Sequence, residues 1–309
     1  MNQQNVSLSS TLRQSGPTDT SYKARPDWNA NSDQPRLALR NFYRSYMAKH
    51  MQLYAADDLC KPALIIAPHP DDEVLGCGGT IIRKRQAGAE ITVIFMTDGS
   101  NSHQHLLPRE TLKQVRAEEA IAACQRLGVP ADHVYFFEAP DSRLHTKISE
   151  AVEQLAALVA TYHPAEIFVP YEHDPNPDHI AAAQAVNLLL AQQEHEIVCY
   201  EYPVWAWFHW PWAPFTTASK PVQKMFLCTS LREFAGFRMI HRFQIGVPID
   251  DLLDQKWQAL TKHRTQMTAY LANCQWQTLH DVADGEWLSC FFQPYELFHR
   301  RSDTERRSK

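Results

Sequence analysis

A chain of 309 residues, 44% hydrophobic and 21% charged, has the balance of a folded protein with a sizeable core, which excludes general disorder. A formal net charge of -5 gives no broad positive field, so nucleic acid is a poor partner, and no window approaches the ~18 apolar residues that span a membrane. The seven cysteines are odd in number and form no CxxC pair, which indicates neither a disulfide framework nor a thiolate zinc site. The N-terminus lacks a signal-peptide pattern, and a reducing cytoplasm fits.

Residues 1–35 are polar, interrupted by Pro17, Pro26 and Pro35, and predict a flexible arm because burial cannot repay the entropy of ordering them. Over 37–54, Leu39, Phe42, Tyr43, Tyr46, Met47 and Met51 recur at helical spacing, which predicts an amphipathic helix packed on the main body. From residue 63 short aliphatic runs alternate with longer amphipathic stretches. Strands are predicted at 63–67, 91–97, 133–137, 166–170 and 197–201, and helices at 79–87, 109–127, 145–162 and 178–193. Repeated β-α-β units predict a doubly wound, mostly parallel sheet, which places ligand sites beyond the carboxyl ends of its strands. After residue 203 the pattern loosens into an aromatic-rich C-terminal extension with one helix over 249–272, and 36–300 reads as a single domain followed by a solvated basic tail at 301–309. Four of the eight tryptophans fall at Trp205, Trp207, Trp210 and Trp212, where core packing, a stacking wall for sugar and an interface all stay open.

Two polar clusters follow strands. His69-Pro-Asp71-Asp72-Glu73 comes directly after the first, and His173-Asp174-Pro-Asn176-Pro-Asp178-His179 directly after the fourth. Four titratable groups within five residues repel one another and lose solvation, costs that a bound cation would reduce. A His and an Asp from the first loop, closed by a His from the second, would make a two-His, one-carboxylate site with open positions. Each cluster has a plainer reading as a helix cap, and Asp178 is well placed to cap the helix it opens. Gly76, Gly78 and Gly79 miss the dinucleotide spacing because Ile81 stands where a third glycine belongs; they read as glycines for tight turning and close helix packing.

The stretch 68–80 resembles the signature of the LmbE-like, PIG-L-type N-acetylglucosaminyl deacetylases, and Pro177-Asp178-His179 is similar to that family's second metal motif. Thr97-Asp98-Gly99, Arg116-Ala-Glu118-Glu119, Pro140-Asp141 and the stretch 256–266 with His263 also resemble family positions. The resemblance implies a Rossmann-like fold with zinc held by His69, Asp72 and His179, ferrous iron being the competing ion, and Asp71 as general base. It departs at Asn176, where the family commonly has a histidine. Asn cannot supply a titratable proton, so either Asp71 makes both transfers or His173 substitutes. Arg116, Asp98, Asp141 and His263 are the substrate-binding candidates. Arg116 reads equally as a surface ion pair with Glu119 or Glu110, Asp98 as a ligand-orienting residue, and His263 as a structural histidine.

The expected function is therefore zinc-dependent removal of an acetyl group from an N-acetylated sugar or glycoconjugate, with homo-oligomerisation open. A non-haem iron oxygenase and a non-catalytic sugar-binding relative are the alternatives.

Overall fold

The computed structural model describes residues 34–103, 105–215, 219–271 and 275–301. The predicted arm and tail fall almost wholly outside them, as does Cys274. Helix α1 (Gln34–His50) and the short strand β1 (Gln52–Leu53) lead into β2 (Ala63–Ala67), α2 (Asp72–Gln86), β3 (Ile91–Thr97), α3 (Arg109–Arg126) and β4 (Val134–Ala139). Next come α4 (Ile148–Tyr162), β5 (Glu166–Pro170), α5 (Pro177–Leu190) and β6 (Val198–Tyr202). The last part holds α6 (Lys220–Arg232), α7 (Phe237–Arg242), β7 (Ile245–Pro248), α8 (Leu253–Leu260), α9 (Arg264–Met267) and β8 (Tyr295–Arg300).

The strands form one eight-stranded sheet in the order β1-β7-β8-β6-β5-β2-β3-β4, in which only β8 runs antiparallel to its neighbours. Alternation along β2 feeds two cores. Ala63, Ile65 and Ala67 pack in the layer of α2, α3 and α8, whereas Leu64 and Ile66 pack in the layer of α4 and α5. Leu64, Ile65 and Ile66 are wholly inaccessible, and each contributes roughly 1.5–3 kcal/mol by leaving water. Chain order runs outward from β2 through β3 to β4, then returns to β5 on the other side of β2. The crevice between β2 and β5 is thus the switch point at which open α/β sheets bind ligands. No helix among the described residues is long and apolar enough to cross a membrane.

Three readings need correction. Helix α2 starts at Asp72, not 79, so the three glycines lie inside a helix. Their intrinsic cost, about 1 kcal/mol each, is overridden by close packing: a Cβ on Gly76 would stand 2.1 Å from Tyr202 and one on Gly79 2.4 Å from Ile249. The helix expected over 249–272 is broken: α8 ends at Leu260, and buried His263, with ψ 61°, stands before the short α9. Strands β1, β7 and β8 escape the pattern. In β8 the charged Glu296 is buried, where it pairs with Lys256 at 2.7 Å and accepts the Gly79 and Thr80 amides of α2.

Candidate active site

The first polar cluster leaves β2 through Pro68, whose carbonyl accepts both the amide and the hydroxyl of Thr97 at 3.0 and 2.8 Å, tying the loop to β3. Asp71 then adopts φ 121°, ψ −28°, a conformation that costs a non-glycine residue on the order of 1–3 kcal/mol. Its surroundings hold it there. The Asp71 amide donates to Glu73 Oε2 at 3.0 Å, Gln266 Nε2 donates to Asp71 Oδ2, and His263 Nε2 meets the other Glu73 oxygen at 2.7 Å.

The second cluster is built differently from its sequence reading. Asn176 is the residue that caps α5, its Oδ1 accepting the Asp178 amide at 2.9 Å. Asp178 points away from its own helix, accepting the Ser142 and Leu144 amides at 2.7 and 3.0 Å and facing His69 Nε2 at 3.2 Å. Buried Asp174 gathers the Asn176 and Ala206 amides at 3.1 and 2.9 Å and lies 3.3 Å from His179 Nδ1. Each imidazole therefore has a carboxylate from this loop behind one nitrogen and turns the other nitrogen toward Asp72.

Those other nitrogens form a triangle with Asp72 Oδ2: His69 Nδ1 at 3.2 Å, His179 Nε2 at 3.1 Å, and 3.3 Å between the two nitrogens. Ligands about 2.0–2.1 Å from a tetrahedral zinc are separated by roughly 3.3 Å, so the three donors fit that ion. Two ring nitrogens and an acid oxygen this close need either a shared proton or a cation. Burial alone would lower His179, but Asp72 and Asp174 together hold it up at about 9, so without a cation the site keeps its proton. Burial first, and then the neighbouring Asp72, pushes the Asp71 carboxyl up to about 8. A second group, His69 with Asp141 and Asp178, also has metal-ligand spacing. It uses the far side of the same imidazole, which the Ser142 and Leu144 amides already help to organise.

Above the triangle opens a cavity of about 260 Å³ bounded by His69, Asp71, Asp72, Arg116, Asp141 and Asn176. Arg116 is buried, donating to Gly99 O and to Ser102 Oγ, with Nε left unpartnered. It is not in a surface ion pair, because Glu119 instead accepts the Thr265 amide and hydroxyl and Glu110 has no part in the cavity. Three other candidates lie outside the cavity. Asp98 fastens loops by accepting from Ser100 and the Asp141 amide; His263 is sealed behind Glu73; His173 is half exposed beside Glu172 and lines a different cavity. Asp141 is on the wall, 3.7 Å from His69 Nε2, and its other oxygen accepts the Asn101 amide.

Sequence reasoning placed Glu73 and Asp174 in the two clusters without a role of their own and gave none to Gln266. Gln266 reaches Asp71 across 195 positions, a contact without local signal. The tryptophan cluster divides: Trp207 and Trp212 are buried in the core, whereas Trp205 walls the cavity and stacks on Trp287 at 4.7 Å.

Residues 64–190, which carry both loops, match the family model described as PIG-L: GlcNAc-PI de-N-acetylase. Over this stretch the chain is similar to the LmbE/PIG-L family. A probable N-acetyl-alpha-D-glucosaminyl L-malate deacetylase 2 of Bacillus cereus is 25% identical over 232 residues, 73% of this chain and 93% of that one. The N,N'-diacetylchitobiose deacetylase of Pyrococcus horikoshii superposes with a TM-score of 0.55 at 20% identity, covering 88% of this chain and 94% of that one. The 4-carboxy-2-hydroxymuconate hydratase GalB of Pseudomonas putida does so at 0.50 and 18% identity, over 78% and 96%. One fold thus serves proteins of different named activities, and the chemistry has to be argued from the site.

Proposed function

We propose that this protein is a zinc-dependent hydrolase that removes the acetyl group from an N-acetylated amino sugar or glycoconjugate. The observation that carries the reading is Asp71, held in a strained conformation beside three converging donors at the floor of a cavity with an aromatic wall. His69, Asp72 and His179 are the residues that would hold the ion, which supplies a Lewis acid able to polarise an acetyl carbonyl and acidify water.

The chain's own groups manage the protons. Asp71 takes a proton from the attacking water and returns it to the sugar nitrogen as the C–N bond breaks, releasing acetate and a primary amine. A carboxyl whose pKa lies near the working pH suits both transfers. Asn176 spends its oxygen on the α5 cap, and its amide nitrogen is the donor toward the carbonyl oxygen as negative charge develops there. Arg116 and Asp141 bind hydroxyl or anionic groups of the sugar, and Trp205 offers a face for the ring to stack on. The named activity of the Bacillus relative supports this class of substrate.

The test is acetate release from N-acetylglucosamine glycosides by zinc-loaded protein. Asp71→Asn is expected to lose turnover by about 10²-fold or more with its bound zinc retained. Full turnover in that variant would remove the proposed base.

A further inference from the structure

A second cavity, of about 690 Å³, is separate from the one above the metal triangle, and no residue lines both. It lies among α6, α7, the start of β7, the end of β8 and the segment 171–173. Four guanidinium groups line it: Arg232, Arg238, Arg242 and Arg300. So do three imidazoles, those of His173, His241 and His299. Glu233 is the one acidic residue of the wall, and it is already bonded to Arg232 at 3.1 Å.

Among the described residues no carboxylate comes within 4.0 Å of Arg238, Arg242 or Arg300. Arg242 instead lies over the Tyr171 ring at 5.5 Å, and the Arg232 Nη2 atom is buried without a partner. A solvated basic face would be unremarkable on a basic protein, but this chain carries a formal net charge of -5. Like charges gathered around one concave volume repel one another and focus a positive potential into it, a cost relieved when an anion binds. Planar guanidinium forks match the oxygens of a phosphate two at a time.

We infer that this second cavity is a binding site for a ligand bearing a phosphomonoester group. The cavity is large enough to admit the rest of a small phosphorylated molecule as well. Leu231 and Phe234, 79% and 70% exposed, flank Arg232 and Glu233 in the chain. The phosphate therefore has two accessible sources, a soluble metabolite and a lipid headgroup, which the experiment separates.

Binding of glycerol 3-phosphate to zinc-loaded protein is followed by calorimetry, in parallel with co-sedimentation on phosphatidylcholine vesicles with and without phosphatidic acid. Wild-type protein is expected to bind one of these two phosphomonoesters with one-to-one stoichiometry and to release it as salt rises. Arg242→Gln with Arg300→Gln is expected to weaken binding by at least about tenfold, the loss of two charge-assisted contacts. Arg126→Gln, at an exposed arginine outside this cavity, is expected to leave it unchanged. Binding of glycerol 3-phosphate supports a soluble ligand, and binding confined to phosphatidic acid vesicles supports a lipid source. No binding in either arm, or equal binding by the double Arg variant, overturns the inference. Because acetate release is not read, failure here leaves the deacetylase reading untouched, and failure of that reading leaves this one untouched.

Discussion

Gly76 links the packing of the fold to the geometry of the site. It lies one helical turn beyond Asp72 on α2, facing the ring of Tyr202. A Cβ there would stand 2.1, 2.6 and 2.7 Å from three ring atoms, where ordinary carbon contacts begin at about 3.5 Å. Relief requires a displacement on the order of 1 Å. Tyr202 cannot supply it, being wholly buried on β6 with its hydroxyl donating to Ile66 O at 2.6 Å, so helix α2 must move and carry Asp72 with it. Overpacking of this kind costs roughly 1–3 kcal/mol, partly offset by about 1 kcal/mol from the better helix propensity of alanine. Gly76→Ala is therefore expected to lower unfolding stability by up to about 2 kcal/mol in urea titrations and to weaken zinc binding in chelator competition. Tyr202→Leu removes the ring that is struck, so the double variant should recover part of both losses. If Gly76→Ala matches wild type in both measurements, or if the two substitutions are simply additive, the proposed steric coupling is wrong.

Three further outcomes follow from the same geometry. Asp174→Asn leaves His179 without the charge behind Nδ1 and should cost about 10–100-fold in zinc affinity with the circular dichroism of the fold retained; unchanged affinity would deny Asp174 that role. Burial holds His209 down at about 4, its Nδ1–H donating to Ala206 O at 2.6 Å and its Nε2 buried without a partner. A histidine depressed in the folded state takes up its proton first in the unfolded chain, so stability is present above about pH 6.5 and is lost toward pH 4, by up to about 3 kcal/mol. Urea titrations at these two pH values should show that loss reduced in His209→Asn, and an identical loss in the variant would refute the assignment. Trp205→Ala should raise the KM for sugar glycosides several-fold with little change in kcat; a loss confined to kcat would place Trp205 outside the binding wall.

The parallel sheet was legible because β2, β3 and β5 are short, mainly apolar runs of the kind a strand buried on both faces must have. The metal loops were legible for a related reason: acidic and imidazole groups crowded at strand ends are too costly without a partner. What stayed hidden depends on contacts between distant segments. The helical start of α2 cannot be read from a glycine-rich stretch without knowing that Tyr202 and Ile249 press against it. Strand β8 looked unlike a strand because Glu296 interrupts its apolar side, and Lys256, two α2 amides and the Thr80 hydroxyl make that burial tolerable. Asp178 resembled a cap, yet the capping position belongs to Asn176, which frees Asp178 to hold His69. His173 sits three residues before Asn176, but the turn at Asp174 directs it to the second cavity.

The central claim is that His69, Asp72 and His179 jointly hold one divalent ion, and metal content measures it most directly. Elemental analysis after zinc loading and dialysis should give one zinc per chain for the wild type and nearly none for His179→Ala or Asp72→Ala, with the fold intact in each. Equal metal content in wild type and both variants would contradict it.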